Sequence, residues 1–499
     1  MQVHAPILPI LVPFLAALLQ MTLRQRKMQR LIGLTACLLL VVVTLWLTLL
    51  TDDGLLRVYA LGDWPAPYGI VLVADRLAAA MTLLTAILGL LALLAASAGF
   101  DDCGQHFHPL FQLQLFGLCG AFLTGDLFNL FVFFEVMLLA SYALLAHGGG
   151  LARTRAGLSY VVLNLVGSAI FLIGLGLLYG TLGTLNLAHL AQRLVLSGGD
   201  QALARLALML LIVVFALKAG LLPLCFWLPH TYTAAGVPVA ALFAIMTKVG
   251  IVAILRLQAL ALTPAIPDLL AHWLPALALA TVTLAAMGML AAARLQAMAA
   301  WLVLLSTGTL LLAPAQASVA VDAAALYYLA QSTLVSAAFF ILAGAIAEQR
   351  GEAGDHFRAG APPANWLSIC FLIVAIGAAG LPPFSGFVAK VMLLAALREV
   401  AGATVMWTVL LAASFLVMIA LARNGCLLVW KHQAIPRPWV RPLPWTTTTA
   451  TLVLVAAGPL LALAAEPLAA YAGRAASQLH SPGAYVASVL GQTPRSAHR

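Results

Sequence analysis

The stretch FALKAGLLPLCFWLP, Phe215–Pro229, sets Lys218, Gly220 and Pro223 inside a run that is otherwise apolar. Proline in mid-helix removes an amide donor and collides with the preceding turn, so a helix must break here. A second stretch has the same character: GAAGLPPFSGFVAK, Gly377–Lys390, carries Gly380, Pro382, Pro383 and Gly386 and ends on a lysine. Paired apolar runs interrupted by Gly and Pro are the pattern of membrane transport folds whose working groups sit at the breaks.

The rest of the chain agrees. Of 499 residues, 64% are hydrophobic and 8% charged, whereas a soluble protein carries roughly a quarter charged residues. Runs of about 20 apolar residues, enough to cross a ~30 Å hydrocarbon core, recur throughout. The expected fold is therefore an all-α polytopic membrane protein in the lipid bilayer; the short alternating strands of a β-barrel are absent from the sequence. Fourteen spans are predicted, near 5–23, 31–50, 73–98, 109–124, 127–146, 158–185, 203–228, 234–259, 270–291, 298–315, 322–347, 365–397, 404–430 and 446–465. The segment 186–202, with Arg193 between leucines, reads as a surface helix. The first span is expected to be retained, because its basic cluster follows the apolar run instead of preceding it.

Spans seven and twelve are the broken ones. Their offset of five, an odd number, implies two inverted repeats, 109–259 (spans 4–8) and 270–430 (spans 9–13), within one integral membrane domain, 1–499. Orientation follows from basic residues in short loops. Alternate loops hold Arg24, Arg26, Lys27, Arg30, Arg153, Arg155, Arg294, Arg350, Arg358, Lys431, Arg437 and Arg441 on one side, and only Arg57, Arg193, Arg205 and Arg398 on the other. The richer set is assigned to the cytoplasm, which puts both termini outside a bacterial inner membrane. The formal charge of +9 thus reflects orientation, and no nucleic-acid partner is expected.

The lysines are distributed unevenly. Of five, Lys27 and Lys431 lie in loops, while Lys218, Lys248 and Lys390 fall inside spans or at their breaks. Lysine can lose its proton in a low-dielectric site, which arginine cannot do at ordinary pH. A group that must hold and then release a proton would be a lysine. The acid placed deep in a span is Glu135, in LTGDLFNLFVFFEVMLLASYALL, Leu123–Leu145. It lies nine residues past Asp126, or about 13 Å along a helix. Each such charge costs roughly 3 kcal/mol at a helix centre. A Glu135–Lys218 pair at about 4 Å would recover about 4 kcal/mol at an effective dielectric near 20, so a direct pair is expected.

Other polar residues have simpler readings. His230 ends a span and reads first as interfacial, with relay or access as its second role. Arg423 reads as an anchor. Trp227, Trp366, Trp430 and Trp445 lie near span ends and fit an aromatic belt. The six cysteines are scattered, and Gly148–Gly150 reads as a loop. With no Walker loop or dinucleotide fingerprint in the sequence, no cofactor, metal or catalytic residue is expected.

TGDLFNLFVFFEVMLLASYALLAHG, Thr124–Gly148, resembles the fifth-helix region of the D-type subunit of the multisubunit monovalent cation/proton antiporters called Mrp, Pha or Mnh. KAGLLPLCFWLPHTYTAAGVPVAALFAIMTKVG is similar to their broken seventh and their eighth helix, and GLPPFSGFVAK to their broken twelfth. The likeness extends over nearly the whole chain, and these motifs also mark antiporter-like subunits of proton-pumping NADH–quinone oxidoreductases. It implies fourteen helices, inverted repeats of helices 4–8 and 9–13, and a proton relay running Glu135, Lys218, Lys248, Lys390. It implies Na⁺ or K⁺ as the exchanged cation and other membrane subunits as partners. The alternative it carries is a proton-pumping subunit of a respiratory dehydrogenase or membrane hydrogenase. The eleventh helix departs from the family pattern. Where many relatives have histidine and lysine, this chain reads AQSTLVSAAFF, with Gln331 and Ser336. The route from Lys248 to Lys390 is then expected to use water lined by Ser306, Thr307, Tyr328, Ser332 and Thr333.

Overall fold

The computed structural model describes residues 2–196, 202–429 and 442–491. Lys431, Arg437, Arg441 and Trp430 lie outside the described residues. Among those described, twelve helices are long and apolar enough to cross a membrane. The other two predicted spans, 109–124 and 365–397, fall on shorter apolar helices.

The chain opens with α1 (Leu8–Thr22) and α2 (Arg26–Thr51), then a hairpin of β1 (Arg57–Ala60) and β2 (Val71–Ala74), antiparallel with Arg57 opposite Ala74. Next come α3 (Arg76–Ala96), α4 (Phe107–Leu123), α5 (Leu127–Ala146) and α6 (Leu151–Leu182). Two starts are set by aspartate. Asp75 accepts from the Ala78 amide at the head of α3, and Asp126 accepts from the Phe128 and Asn129 amides at the head of α5, each satisfying donors that no helical carbonyl can reach. Helix α7 (Leu187–Leu196) is amphipathic, burying Leu187, Leu190 and Leu194 and leaving Arg193 exposed, as expected of a surface helix.

The broken seventh span is α8 (Ala202–Ala219) followed by α9 (Trp227–Ala234). The eighth span, predicted continuous, is itself interrupted: α10 (Val237–Phe243) and α11 (Met246–Leu257) are separated by a turn at Ala244–Ile245, and a π-helical turn follows at Gln258–Leu262. No Gly or Pro marks that interruption. The Tyr232 hydroxyl, from α9, donates to the Phe243 carbonyl there at 2.8 Å. Short helices α12 (Thr263–Ala265) and α13 (Asp268–Ala271) lead into α14 (Leu274–Ala291), α15 (Leu295–Leu310), α16 (Leu312–Gln316) and the long α17 (Val319–Arg350). The broken twelfth span is α18 (Asn365–Ala379) and α19 (Ser385–Leu397); α20 (Ala403–Val429), α21 (Trp445–Leu463), α22 (Ala465–Leu479) and α23 (Pro482–Leu490) complete the chain.

The spans are not equally enclosed. In their most apolar windows, Val237–Ala265 is 94% buried and Val319–Ala353 89%, against 28% for Arg26–Thr51 and 33% for Ala403–Val429. The core axis is therefore formed by α10–α11, α15 and α17. Close approach is achieved with glycine, the usual device where lipid gives no hydrophobic drive between helices. A β-carbon on Gly250 of α11 would stand 2.6 Å from the Phe215 carbonyl oxygen of α8.

Charged residues lock the two ends. Asp75 and Arg256 form a buried bidentate pair, 2.7 and 2.8 Å, joining α3 to α11. His480 holds Asp322 of α17 at 2.6 Å, and Arg474 of α22 holds Asp52. At the other end Asp101 bridges Arg30 and His108, at 2.9 and 3.0 Å. Burial alone would raise the Asp101 carboxyl, but His108 and Arg30 outweigh it and hold it below its usual range. Arg423 ties α20 to the Leu290 carbonyl of α14, in keeping with an anchor. His230 and Trp445 are exposed and Trp366 half-buried. Trp227 departs from the predicted belt. It is buried, stacked on Tyr160, with its indole N–H donating to the Leu217 carbonyl at 3.1 Å, because the break turns the Leu221 amide back to the Ala216 carbonyl and leaves the Leu217 carbonyl only the Gly220 amide at 3.2 Å.

Candidate functional site

Both breaks are built alike. Gly220, at φ +86, ends α8, and Gly380, at φ +77, ends α18; left-handed backbone of this kind favours glycine. The amides of Gly220 and Leu221 both return to the Ala216 carbonyl, and those of Gly380 and Leu381 both return to the Ile376 carbonyl. Pro223 and Pro383 each follow their glycine by three residues. Hydroxyls from neighbouring helices take up the backbone groups freed at the first break. Thr307 of α15 donates to the Ala219 carbonyl at 3.0 Å, and Thr281 of α14 accepts from the Leu222 amide at 3.0 Å.

Lys218 is buried two residues before the Gly220 that ends α8. Its Nζ donates to Asn164 Oδ1 of α6 at 2.9 Å and lies 6.0 Å from the Phe134 ring centroid. Glu135 is half-buried on α5 and accepts from the Ser168 hydroxyl of α6. Ser168 also contacts the Asn164 backbone carbonyl at 3.0 Å. The expected direct pair is thus a bridged one. Among the described residues no ion pair joins Glu135 to Lys218, and one helical turn of α6, Asn164 to Ser168, connects them. Sequence reasoning misses both bridging residues. A signal for them exists, since Asn164 and Ser168 are polar groups at i and i+4 within an apolar span, and such neighbours share a face.

This bridge has a test. Asn164→Leu keeps the volume and removes the acceptor of Lys218, leaving a buried cation unsatisfied. Antiport at saturating cation is expected to fall about tenfold, with Asn164→Asp retaining more activity than Asn164→Leu. Equal activity in the two variants would show the bridge to be dispensable.

Lys248 is fully enclosed in the first turn of α11. Its Nζ donates to Ser306 Oγ at 2.7 Å and to Thr247 Oγ1 at 3.3 Å. Three residues on from Ser306 along α15, Thr309 faces a cavity that Tyr328 and Lys390 also line. α15 therefore meets both lysines, with hydroxyls about 4.5 Å apart along its axis. Lys390 of α19 folds back over the second break and donates to the Ala379 carbonyl at 2.6 Å. Gln331 of α17 donates to the Gly377 carbonyl at 3.4 Å. Gln331 is thus placed at the break, helping to satisfy the end of α18. Ser332, Thr333 and Ser336 donate to carbonyls of their own helix, at 3.3, 2.6 and 2.7 Å. Among the described residues, no cluster of His, Cys, Asp and Glu is arranged to hold a metal.

Each of the three lysines therefore stands close to a helix interruption, and its ammonium donates to a side-chain amide, a hydroxyl or a backbone carbonyl. The family model described as NADH:quinone oxidoreductase/Mrp antiporter, transmembrane, matches residues 124–419, a range that contains Glu135 and all three lysines. A protein of Rhizobium meliloti, named as the probable D-type subunit of a K⁺/H⁺ antiporter, is 40% identical, over 99% of this chain and 98% of its own. The D-type subunit of an Na⁺/H⁺ antiporter of Bacillus subtilis is 36% identical, over 97% of this chain and 99% of its own. In the solved Mrp complex from Dietzia, one chain superposes with a TM-score of 0.87 at 27% identity, covering 98% of this chain and 99% of that one. A match over this length, on these residues and with this fold, establishes that the chain is a multi-pass membrane protein belonging to the NADH:quinone oxidoreductase/Mrp antiporter family.

Proposed function

We propose that this chain is the proton-translocating, D-type subunit of a multisubunit Na⁺ or K⁺/H⁺ antiporter, with Glu135, Lys218, Lys248 and Lys390 as the proton-handling groups. The observation that carries the reading is the placement of all three lysines close to helix interruptions, the first bridged to Glu135 through Asn164 and Ser168. A proton arriving at Glu135 weakens the field that favours the Lys218 ammonium. The change is felt across the tight α8–α11 contact at Lys248, then by way of the α15 hydroxyls at Lys390. One charge moved across 100 mV yields about 2.3 kcal/mol, enough to drive a cation the other way. No step requires a covalent intermediate, which fits a secondary transporter and not an enzyme.

Full-length relatives named as D-type antiporter subunits favour this over the respiratory alternative. The matching hydrogen bonds at the two breaks support inverted repeats across 109–259 and 270–430. The loop charge bias supports a bacterial inner-membrane location with both termini outside, and the relatives' names support assembly with further subunits.

The test is antiport by the purified, reconstituted whole complex under Na⁺ and under K⁺. Glu135→Ala is expected to lower the rate about tenfold with whichever cation the complex exchanges. Undiminished antiport in an intact Glu135→Ala complex would refute the assignment.

A further inference from the structure

We infer that the cleft between α19 and α20 is a lateral binding site, open to the bilayer, for an amphiphile with a single carboxylate head and an unbranched apolar tail. The cleft is a cavity of about 260 Å³ lined by parts of α14, α15, α17, α19 and α20 and by Ala379, Gly380 and Leu381 at the second break. Its inner wall carries Lys390 and the hydroxyl residues Thr309, Tyr328 and Ser414; almost everything else in it is apolar. Its mouth is formed by side chains on the outer surface of the bundle: Val391 is 47% exposed, Leu411 52% and Phe415 58%. The cavity thus runs from the bilayer-facing surface to the ammonium of Lys390.

The chemistry at its inner end selects the head group. An ammonium has three donors, and Lys390 uses one, on the Ala379 carbonyl. Among the described residues no carboxylate forms an ion pair with Lys390. A cation in an apolar cleft with donors to spare is complementary to a monoanion, and in low dielectric such a pair is far stronger than in water. Thr309 donates its hydroxyl proton to the Leu305 carbonyl at 2.9 Å, and the Tyr328 hydroxyl, buried in the same lining, is the donor left for a second carboxylate oxygen. The rest of the cleft offers contact to methylene groups only, as apolar pockets with a few polar anchors do for amphiphilic ligands. A free fatty acid fits this description. It crosses into the bilayer core as the neutral acid and can pass its proton to an uncharged Lys390 amine, leaving carboxylate against ammonium with atoms and charge conserved. A phospholipid would have to carry its head group to the same depth, at much greater cost. The assignment does not depend on Lys390 taking part in proton transfer.

The experiment is photolabelling of the purified whole complex in liposomes with a diazirine-bearing C16 fatty acid, and in parallel with the matching fatty alcohol. The acid is expected to label peptides within 387–394 and 410–418 about tenfold more than the alcohol. Ser414→Trp, which fills the cleft, should abolish the label. Lys390→Met should bring acid and alcohol to the same level, and Lys390→Arg should restore the preference for the acid. Equal labelling by the two probes in the unmodified complex overturns the inference, because the lysine then selects nothing. So does labelling that survives Ser414→Trp, and so does absence of label in these peptides, the result expected if another subunit covers the mouth.

Discussion

Lys248→Ala is expected to cut antiport at least about a hundredfold while the complex still assembles. Lys248 is the most enclosed of the three lysines, with no exposed surface, and the first turn of α11 fixes its position. Its ammonium is held by Ser306 and Thr247, and among the described residues no acid pairs with it. It connects the two halves: α11 touches the end of α8 through Gly250, and α15 carries on from Ser306 to Thr309 at the Lys390 cavity. Among the described residues no other charged side chain is bonded to Ser306 or Thr247 to substitute for it there. The substitution removes an uncompensated buried charge instead of creating one, and this offsets part of the cost of the cavity it leaves. The Ser306 hydroxyl keeps its bond to the Val303 carbonyl at 2.7 Å, while the buried Thr247 hydroxyl loses its contact with Lys248. Lys248→Arg should fail as well, since a guanidinium does not release its proton at any working pH. Antiport in everted vesicles, with assembly followed on native gels, measures both outcomes. Wild-type rates in Lys248→Ala would remove Lys248 from the proposed relay.

The same residues show what a sequence discloses and what it withholds. The broken helices are legible because proline and glycine act on the chain that contains them; Gly220 and Gly380 end their helices where local chemistry requires it. The separation of lysines from arginines is legible because the bilayer penalises each charge by depth. The interruption before Lys248 is not, since Ala244 and Ile245 are compatible with helix and only packing, with Tyr232 on the Phe243 carbonyl, sets the turn. Nor is the bridge between Glu135 and Lys218. A direct pair satisfies Coulomb's law most simply, but the partners' positions depend on how α5, α6 and α8 pack. Here α6 comes between them and supplies an amide and a hydroxyl. In the sequence Gln331 reads only as a missing carrier; its position beside the α18 carbonyls gives it a structural task that no local pattern encodes. The buried Asp75–Arg256 pair is likewise hidden, because its members are 181 residues apart.

The second break should be the less tolerant of added volume, and Gly386→Ala should disable the protein without touching any charged group. Gly386 is buried at the second position of α19. A β-carbon there would fall far inside van der Waals contact distance of the Gly377 carbonyl oxygen and 3.1 Å from Gln331 Nε2. The first obstacle is backbone at the end of α18 and cannot rotate away. One helix must therefore shift, taking with it the Lys390 contact to Ala379 and the Gln331 contact to Gly377. Overpacking of this kind costs about 1–3 kcal/mol, and misplacement of a transfer group by about 1 Å costs about a hundredfold in rate. A thermal shift of the purified complex to lower temperature, together with antiport reduced about a hundredfold, is the expected result. Gly250→Ala, with its β-carbon 2.6 Å from the Phe215 carbonyl oxygen, should act in the same direction at the first break but less severely. Gly458→Ala, where nothing lies within 4 Å, should leave stability and rate unchanged. If Gly386→Ala behaved like Gly458→Ala, the close approach of α18 and α19 would not be what holds Lys390 in place, and the second break would lose its part in the mechanism.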